Sequence, residues 1–142
     1  MFERGNEIMG ETLVVKKQFT EGSFELYVDQ EKKLVRDVWV GKYNLDEVNQ
    51  TLAAIMNEFK KFNKGEPLYL HNVLKSDIKL WTTEQAKAAK DFAIAGVPLC
   101  KRIAFISGSF MHQKSDKAAA GEVIETVKYF ATEAEGIKFL FG

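Results

Sequence analysis

The chain changes its hydrophobic period once, abruptly, and that change decides what it can become. From Phe24 to Asp29 residues alternate in character in steps of two. Phe24, Leu26 and Val28 oppose Glu25, Tyr27 and Asp29. After the polar turn Gln30–Lys33, Leu34, Arg36, Val38 and Val40 alternate with Val35, Asp37 and Trp39. A period of two is the signature of strands, and the short turn between them predicts an antiparallel hairpin. Gly41 then breaks the pattern. From Leu45 the apolar residues Leu45, Val48, Leu52, Ile55, Phe59 and Phe62 recur every three or four positions, as on an amphipathic helix. Asn44 and Glu47 have the spacing of a capping box at its start, and Gly65 supplies a stop.

The rest of the chain repeats this strand-to-helix switch. Leu68-Tyr69-Leu70 reads as a strand ending at His71-Asn72, followed by a polar loop from Val73 to Trp81. Thr82 and Gln85 form a second capping box, and the helix they open ends at Gly96 and Pro98. Arg102–Ile106 is a short apolar strand halting at Ser107-Gly108-Ser109, and a further helix fits within Phe110–Thr126. Val127–Ala131 reads as a last strand, and Thr132 with Glu135 caps a final helix. Ahead of the hairpin, Thr12–Phe19 is β-like. The order β-β-β-α-β-α-β-α-β-α predicts an α/β fold with four helices. Its sheet is mixed, an antiparallel N-terminal hairpin leading into parallel strands joined by right-handed crossovers. The 142 residues suit one domain, with residues 1–10 a loosely ordered segment.

Composition narrows the function classes. Lys+Arg and Asp+Glu are both 20, which disfavours nucleic acid and an anionic membrane surface as partners. No apolar run approaches the ~18 residues of a membrane span, and residues 1–20 carry charges throughout where a secretory leader would be apolar. A lone cysteine, Cys100, forbids an internal disulfide and suits a reducing compartment. The expected location is cytoplasmic.

Candidate chemistry is sparse. His71 and His112 are the only histidines, and no spacing of CxxC or HxxxH type exists, so no metal and no cofactor is expected. Lys101 and Arg102 beside Cys100 could lower its pKa, although a half-buried residue at a strand start is the simpler reading. Ser107, Gly108 and Ser109, between a strand and a helix, could cradle an anion with backbone N–H groups, but without a GxGxxG or GK[ST] pattern a plain turn explains them. Trp81 is a large apolar group in a loop, placed to cover a pocket or face a partner. Carboxylate pairs such as Asp46/Glu47 and Glu133/Glu135 fall at helix starts, where the helix dipole accounts for them.

The strand pair Phe24–Val40, the helix from Leu45 and the segment Val127-Lys128-Tyr129-Phe130-Ala131-Thr132-Glu133-Ala134 together resemble the STAS domain, in particular its SpoIIAA-like group, over about Phe24–Leu140. The resemblance implies a regulatory module without enzymatic activity. In the anti-anti-sigma branch a serine or threonine at the start of the second helix is phosphorylated. Here that position reads Trp81-Thr82-Thr83-Glu84, with Trp81 where the family has an acidic residue and Glu84 where it has glycine. A carboxylate beside a phosphoacceptor repels the added charge. The loop Leu74–Leu80 is also longer than the family's. Ser76, Thr82 and Thr83 are thus the candidate phosphoacceptors, and His71, Asn72, Lys75, Ser76, Trp81, Thr82 and Thr83 the candidate surface for an unidentified protein partner.

The alternative is a carrier or sensor of an apolar or anionic small molecule, suggested by the aromatics beside Val73–Trp81 and the small residues Ala118-Ala119-Ala120-Gly121. The run Leu13–Lys17 could lie on a sheet edge, where a second copy could pair to give a homodimer.

Overall fold

A computed structural model describes residues 10–77, 81–107 and 126–142. Three strands come first, β1 (Thr12–Gln18), β2 (Gly22–Asp29) and β3 (Leu34–Gly41), followed by helix α1 (Leu45–Phe59). Then come β4 (Leu68–Ser76), α2 (Thr83–Gly96), a 3-10 turn at Val97–Leu99, β5 (Arg102–Ile106), β6 (Val127–Phe130) and α3 (Glu133–Phe141). The strands form one six-stranded sheet in the order β1-β2-β3-β4-β5-β6. β1, β2 and β3 pair antiparallel, while β3, β4, β5 and β6 pair parallel. This is the mixed α/β sheet that the order of elements predicts.

Helix number differs from the expectation. Among the described residues there are three α-helices, not four. The helix expected within Phe110–Thr126 falls outside the described residues, as do His112 and Ala118-Ala119-Ala120-Gly121. Two boundaries also move. α1 ends at Phe59, where Lys61 and Phe62 tighten the last turn by donating to the carbonyls of Glu58 and Phe59, so the stop precedes Gly65. β4 does not end at Asn72 but runs to Ser76, paired with β3 as far as Gly41. The polar residues His71, Asn72, Lys75 and Ser76 look like a loop in the sequence. They remain in a strand because the main chain continues the ladder, while Asp37 and Glu133 accept from the polar groups of His71 and Asn72.

Successive residues of a strand face opposite sides, and the sheet uses both. On one side, Phe24, Leu26, Val35, Trp39, Tyr69 and Val73 are buried with Val48, Ile55 and Phe59 of α1. On the other, Leu34, Leu70, Ala104 and Ile106 pack on Leu140 of α3. Each fully buried side chain of this size contributes about 1.5–3 kcal/mol. Gly136 lets α3 come this close, because a Cβ there would lie 2.7 Å from Ile106 Cδ1. β2 keeps the one-sided alternation read from its sequence. β3, with neighbours on both edges and cover on both faces, buries even its charged residues Arg36 and Asp37.

Candidate functional site

The start of α2 is built against the ends of three strands. Thr82 caps the helix in both directions: its side chain accepts from Gln85 N at 3.2 Å, and Gln85 Oε1 accepts from Thr82 N at 2.8 Å. Gln85 is buried and also donates from Nε2 to the Tyr43 carbonyl at 2.6 Å, which ties α2 to the segment after β3. That segment is itself locked to the β1–β2 turn. Gly41, at φ +85°, lies against the Glu21 carbonyl so closely that no Cβ would fit. Lys42 N donates to Glu21 O at 3.0 Å, and Asp77 N donates to Gly41 O at 2.9 Å.

These bonds enclose a recess of about 310 Å³. Thr20 and Glu21 come from the β1–β2 turn, and Lys42, Tyr43, Asn44 and Glu47 from the junction of β3 and α1. Asp77, Trp81 and Gln85 complete it from the end of β4 and the start of α2. Tyr43 forms a fixed wall, its hydroxyl held by the carbonyls of Ser23 and Val40 at 2.6 and 2.7 Å. Burial raises its pKa far above the usual phenol value.

Behind the recess stands an aromatic column. Trp81 packs on Trp39 with centroids 5.8 Å apart, and Trp39 packs on Tyr43 and His71 at 5.2 and 5.7 Å. Trp39 is fully buried, yet neither its Nε1–H nor that of Trp81 has an acceptor among the described residues. A buried donor left unpaired costs about 1–3 kcal/mol.

Below the column is a polar cluster on a lateral row of the sheet, where Asp37, His71, Phe105 and Tyr129 stand side by side in register. The carboxylate of Asp37, wholly buried, accepts from Asn72 N at 3.1 Å, from His71 Nδ1 at 2.9 Å and from the Tyr69 hydroxyl. Burial, reinforced by the charge of Asp37 and the hydrogen bond to it, pushes the Tyr69 phenol well above its usual pKa. Nδ1 of His71 is committed to Asp37, and the imidazole packs edge-on against Phe105 with ring centroids 4.7 Å apart.

The expected site residues therefore divide. Trp81 lines the recess, and the Thr82 cap frames it. Thr83 is exposed beside it. His71 reaches the recess only through Trp39. Asn72 faces the other side of the sheet, where its Nδ2 donates to Glu133 at 2.8 Å. Lys75 is exposed, and Ser76 donates back to the Val73 carbonyl at 3.0 Å; neither lines the recess. Ser107 is buried and its amide is spent on the Phe130 carbonyl at 3.0 Å, while Gly108 and Ser109 lie outside the described residues. Cys100 follows the simpler structural reading, and is buried rather than half-buried. Burial pushes its thiol up to about 12, so Lys101 and Arg102 do not activate it.

Sequence reading missed Asp37, Tyr69, Tyr43 and the turn residues Glu21 and Asp77. Two adjacent charges, Arg36 and Asp37, in an otherwise apolar central strand were the available signal for Asp37. The others become neighbours only through the sheet register. Among the described residues no group of three or more His, Cys, Asp or Glu side chains is placed to hold a metal, and no helix is long and apolar enough to cross a membrane.

No family model matches the chain, and no curated protein matches it. A crystal structure of an uncharacterised protein from the DUF3478 family, from Shewanella loihica PV-4 and described as having a SpoIIAA-like fold, superposes with a TM-score of 0.63 at 12% identity. The match covers 97% of this chain and 99% of that one. The fold is SpoIIAA-like. At such identity the likeness concerns architecture alone, so the chemistry of the site rests on this chain's own residues.

Proposed function

We propose that this SpoIIAA-like protein is a non-enzymatic interaction module of STAS type, which engages a partner protein through the recess and the start of α2. The observation that supports it is the recess itself. Three strand ends and a capped helix converge there on main-chain bonds, a preformed concave surface that costs little to order on binding. Thr83, exposed at its margin, is also the best-placed phosphoacceptor, since the Thr82 side chain is occupied by the cap. Glu84 beside it opposes added negative charge.

A photo-crosslinking side chain at Thr83 tests this reading against the same group at Lys128, exposed on β6. Discrete adducts in native lysate are expected from Thr83 alone. Equal adducts from both positions, or none from either, would contradict it.

The second reading is a small-molecule carrier, favoured by the two buried indole N–H groups without acceptors. Native mass spectrometry checks it, a carrier being expected to retain added mass. The three carboxylates around the recess, against one ammonium, oppose an anionic cargo there. Association of two copies through β1 has less support. β1 is an edge strand, but its register shifts between Leu13 and Val15, and Lys16 and Lys17 follow, both features that discourage edge pairing. Light scattering is expected to give a monomer, and a concentration-dependent dimer would overturn that expectation.

A further inference from the structure

We infer that the recess takes a cationic side chain, an arginine or a lysine, carried on an extended segment of the partner. This rests on the recess being the interaction site and adds the chemistry of what enters it. Glu21, Glu47 and Asp77 line the recess with a single opposing charge, Lys42. Among the described residues none of the four forms an ion pair, so the concave surface keeps an excess of negative charge. A concave wall of one sign focuses the field on what enters it. Two aromatic rings, Trp81 and the immobilised Tyr43, share that wall, and ring faces attract guanidinium and ammonium groups.

The volume of about 310 Å³ stands at the lower end of small-molecule sites, which suits one long side chain. A second, independent feature favours a peptide over a free amine. The Nε1–H of Trp81, a recess residue, is buried with no acceptor among the described residues. Trp39, fully buried behind Trp81 and Tyr43, does not line the recess, so Trp81 alone bears on the ligand. An amine or guanidine has only donors to offer the Trp81 N–H. The main-chain carbonyls flanking an arginine or lysine supply acceptors.

Trp39 and Trp81 are the only tryptophans of the chain, so tryptophan emission reports on the recess and the aromatic column behind it. The full-length protein is titrated with acetyl-Gly-Arg-Gly-amide, with the same peptide carrying glutamine or glutamate in place of arginine, and with argininamide. The arginine peptide is expected to change the emission saturably. The glutamine peptide should bind about tenfold more weakly, the glutamate peptide more weakly still, and argininamide more weakly than the arginine peptide. Glu21→Gln and Asp77→Asn should each weaken the arginine peptide about threefold and flatten its salt dependence. Neither carboxylate has a side-chain partner among the described residues, and far-ultraviolet circular dichroism confirms that the variants fold. Glu47 is left alone because it belongs to the α1 capping box.

Equal binding of the arginine and glutamine peptides would overturn the cation preference and leave the interaction site standing. No saturable change with any peptide would overturn the inference. Crosslinking at Thr83 would then decide the broader reading by itself. A crosslinked partner segment without arginine or lysine would also overturn the inference while supporting the interaction site.

Discussion

Arg36 and Asp37 are neighbours in β3, point to opposite faces of the sheet, and both bury a charge, but their surroundings solve that problem differently. Arg36 is closed on all sides. Its Nε and Nη2 meet the two oxygens of Glu11 at 2.8 and 3.0 Å, its Nη1 meets Glu133 at 3.1 Å, and its guanidinium lies 4.3 Å from the centre of the Tyr27 ring. Desolvation would lower its pKa, but the hydrogen bonds and charges of Glu11 and Glu133 more than offset this and raise it. Glu133 opens α3, where the helix dipole also favours a carboxylate. This clasp joins the segment before β1, the middle of the sheet and the last helix.

Asp37 draws its donors from β4 alone and fixes the His71 ring against Trp39 of the aromatic column. One face uses charge to hold the chain together. The other uses it to set the position of rings whose polar atoms are not all satisfied.

The largest expected effect breaks the first arrangement. Arg36→Met should cost about 3–5 kcal/mol in urea unfolding, because it strands Glu11 and Glu133 without their cation. Converting both partners to glutamine in the same protein should recover much of that loss, and a single substitution costing under about 1 kcal/mol would show that the clasp does little. Asp37→Ala should cost about 2–3 kcal/mol, since it leaves the Tyr69 hydroxyl and Asn72 N–H buried without their acceptor. It should also shift tryptophan emission by loosening His71 under Trp39. An unchanged spectrum would separate the Asp37 cluster from the recess.

Tyr69 gives a pH dependence with a definite sign. Its folded pKa is raised well above the ordinary value of 10.0, so the stabilisation is intact below that value. Above it the unfolded chain ionises first, and stability falls as pH rises toward the folded pKa. Urea midpoints should therefore hold near neutrality and decline above about pH 10, less steeply in Tyr69→Phe. The smallest effect belongs to Thr82→Ala, about 1 kcal/mol for the lost cap of α2. The Arg36 clasp, on the far face, should be unaffected by it.

The same contrast explains what could be read from the chain before its structure. Among the described residues the three α-helix caps, at Asn44, Thr82 and Thr132, were legible because a cap and its partner lie three residues apart. The β2 alternation and the hairpin turn were legible for the same local reason. The clasp and the Asp37 cluster were not. Arg36 finds Glu11 and Glu133 at separations of 25 and 97 residues, and Asp37 finds His71 at 34. β4 was cut short because its polar residues carry no strand signal until their distant acceptors are in place. Trp81 lines the recess and Thr82 caps the helix beside it, a placement that follows from their local position ahead of α2. The acidic wall facing them comes from Glu21, Glu47 and Asp77, which no periodicity connects.

The most direct test of the recess as the working surface is amide chemical-shift mapping of the isotope-labelled protein with the partner captured at Thr83. The largest perturbations should fall on the amides of Thr20–Gly22, Lys42–Asn44, Asp77 and Trp81–Gln85, and those around Arg36 and Glu133 should stay in place. Perturbations centred on the α3 face, with the recess amides unmoved, would contradict the assignment.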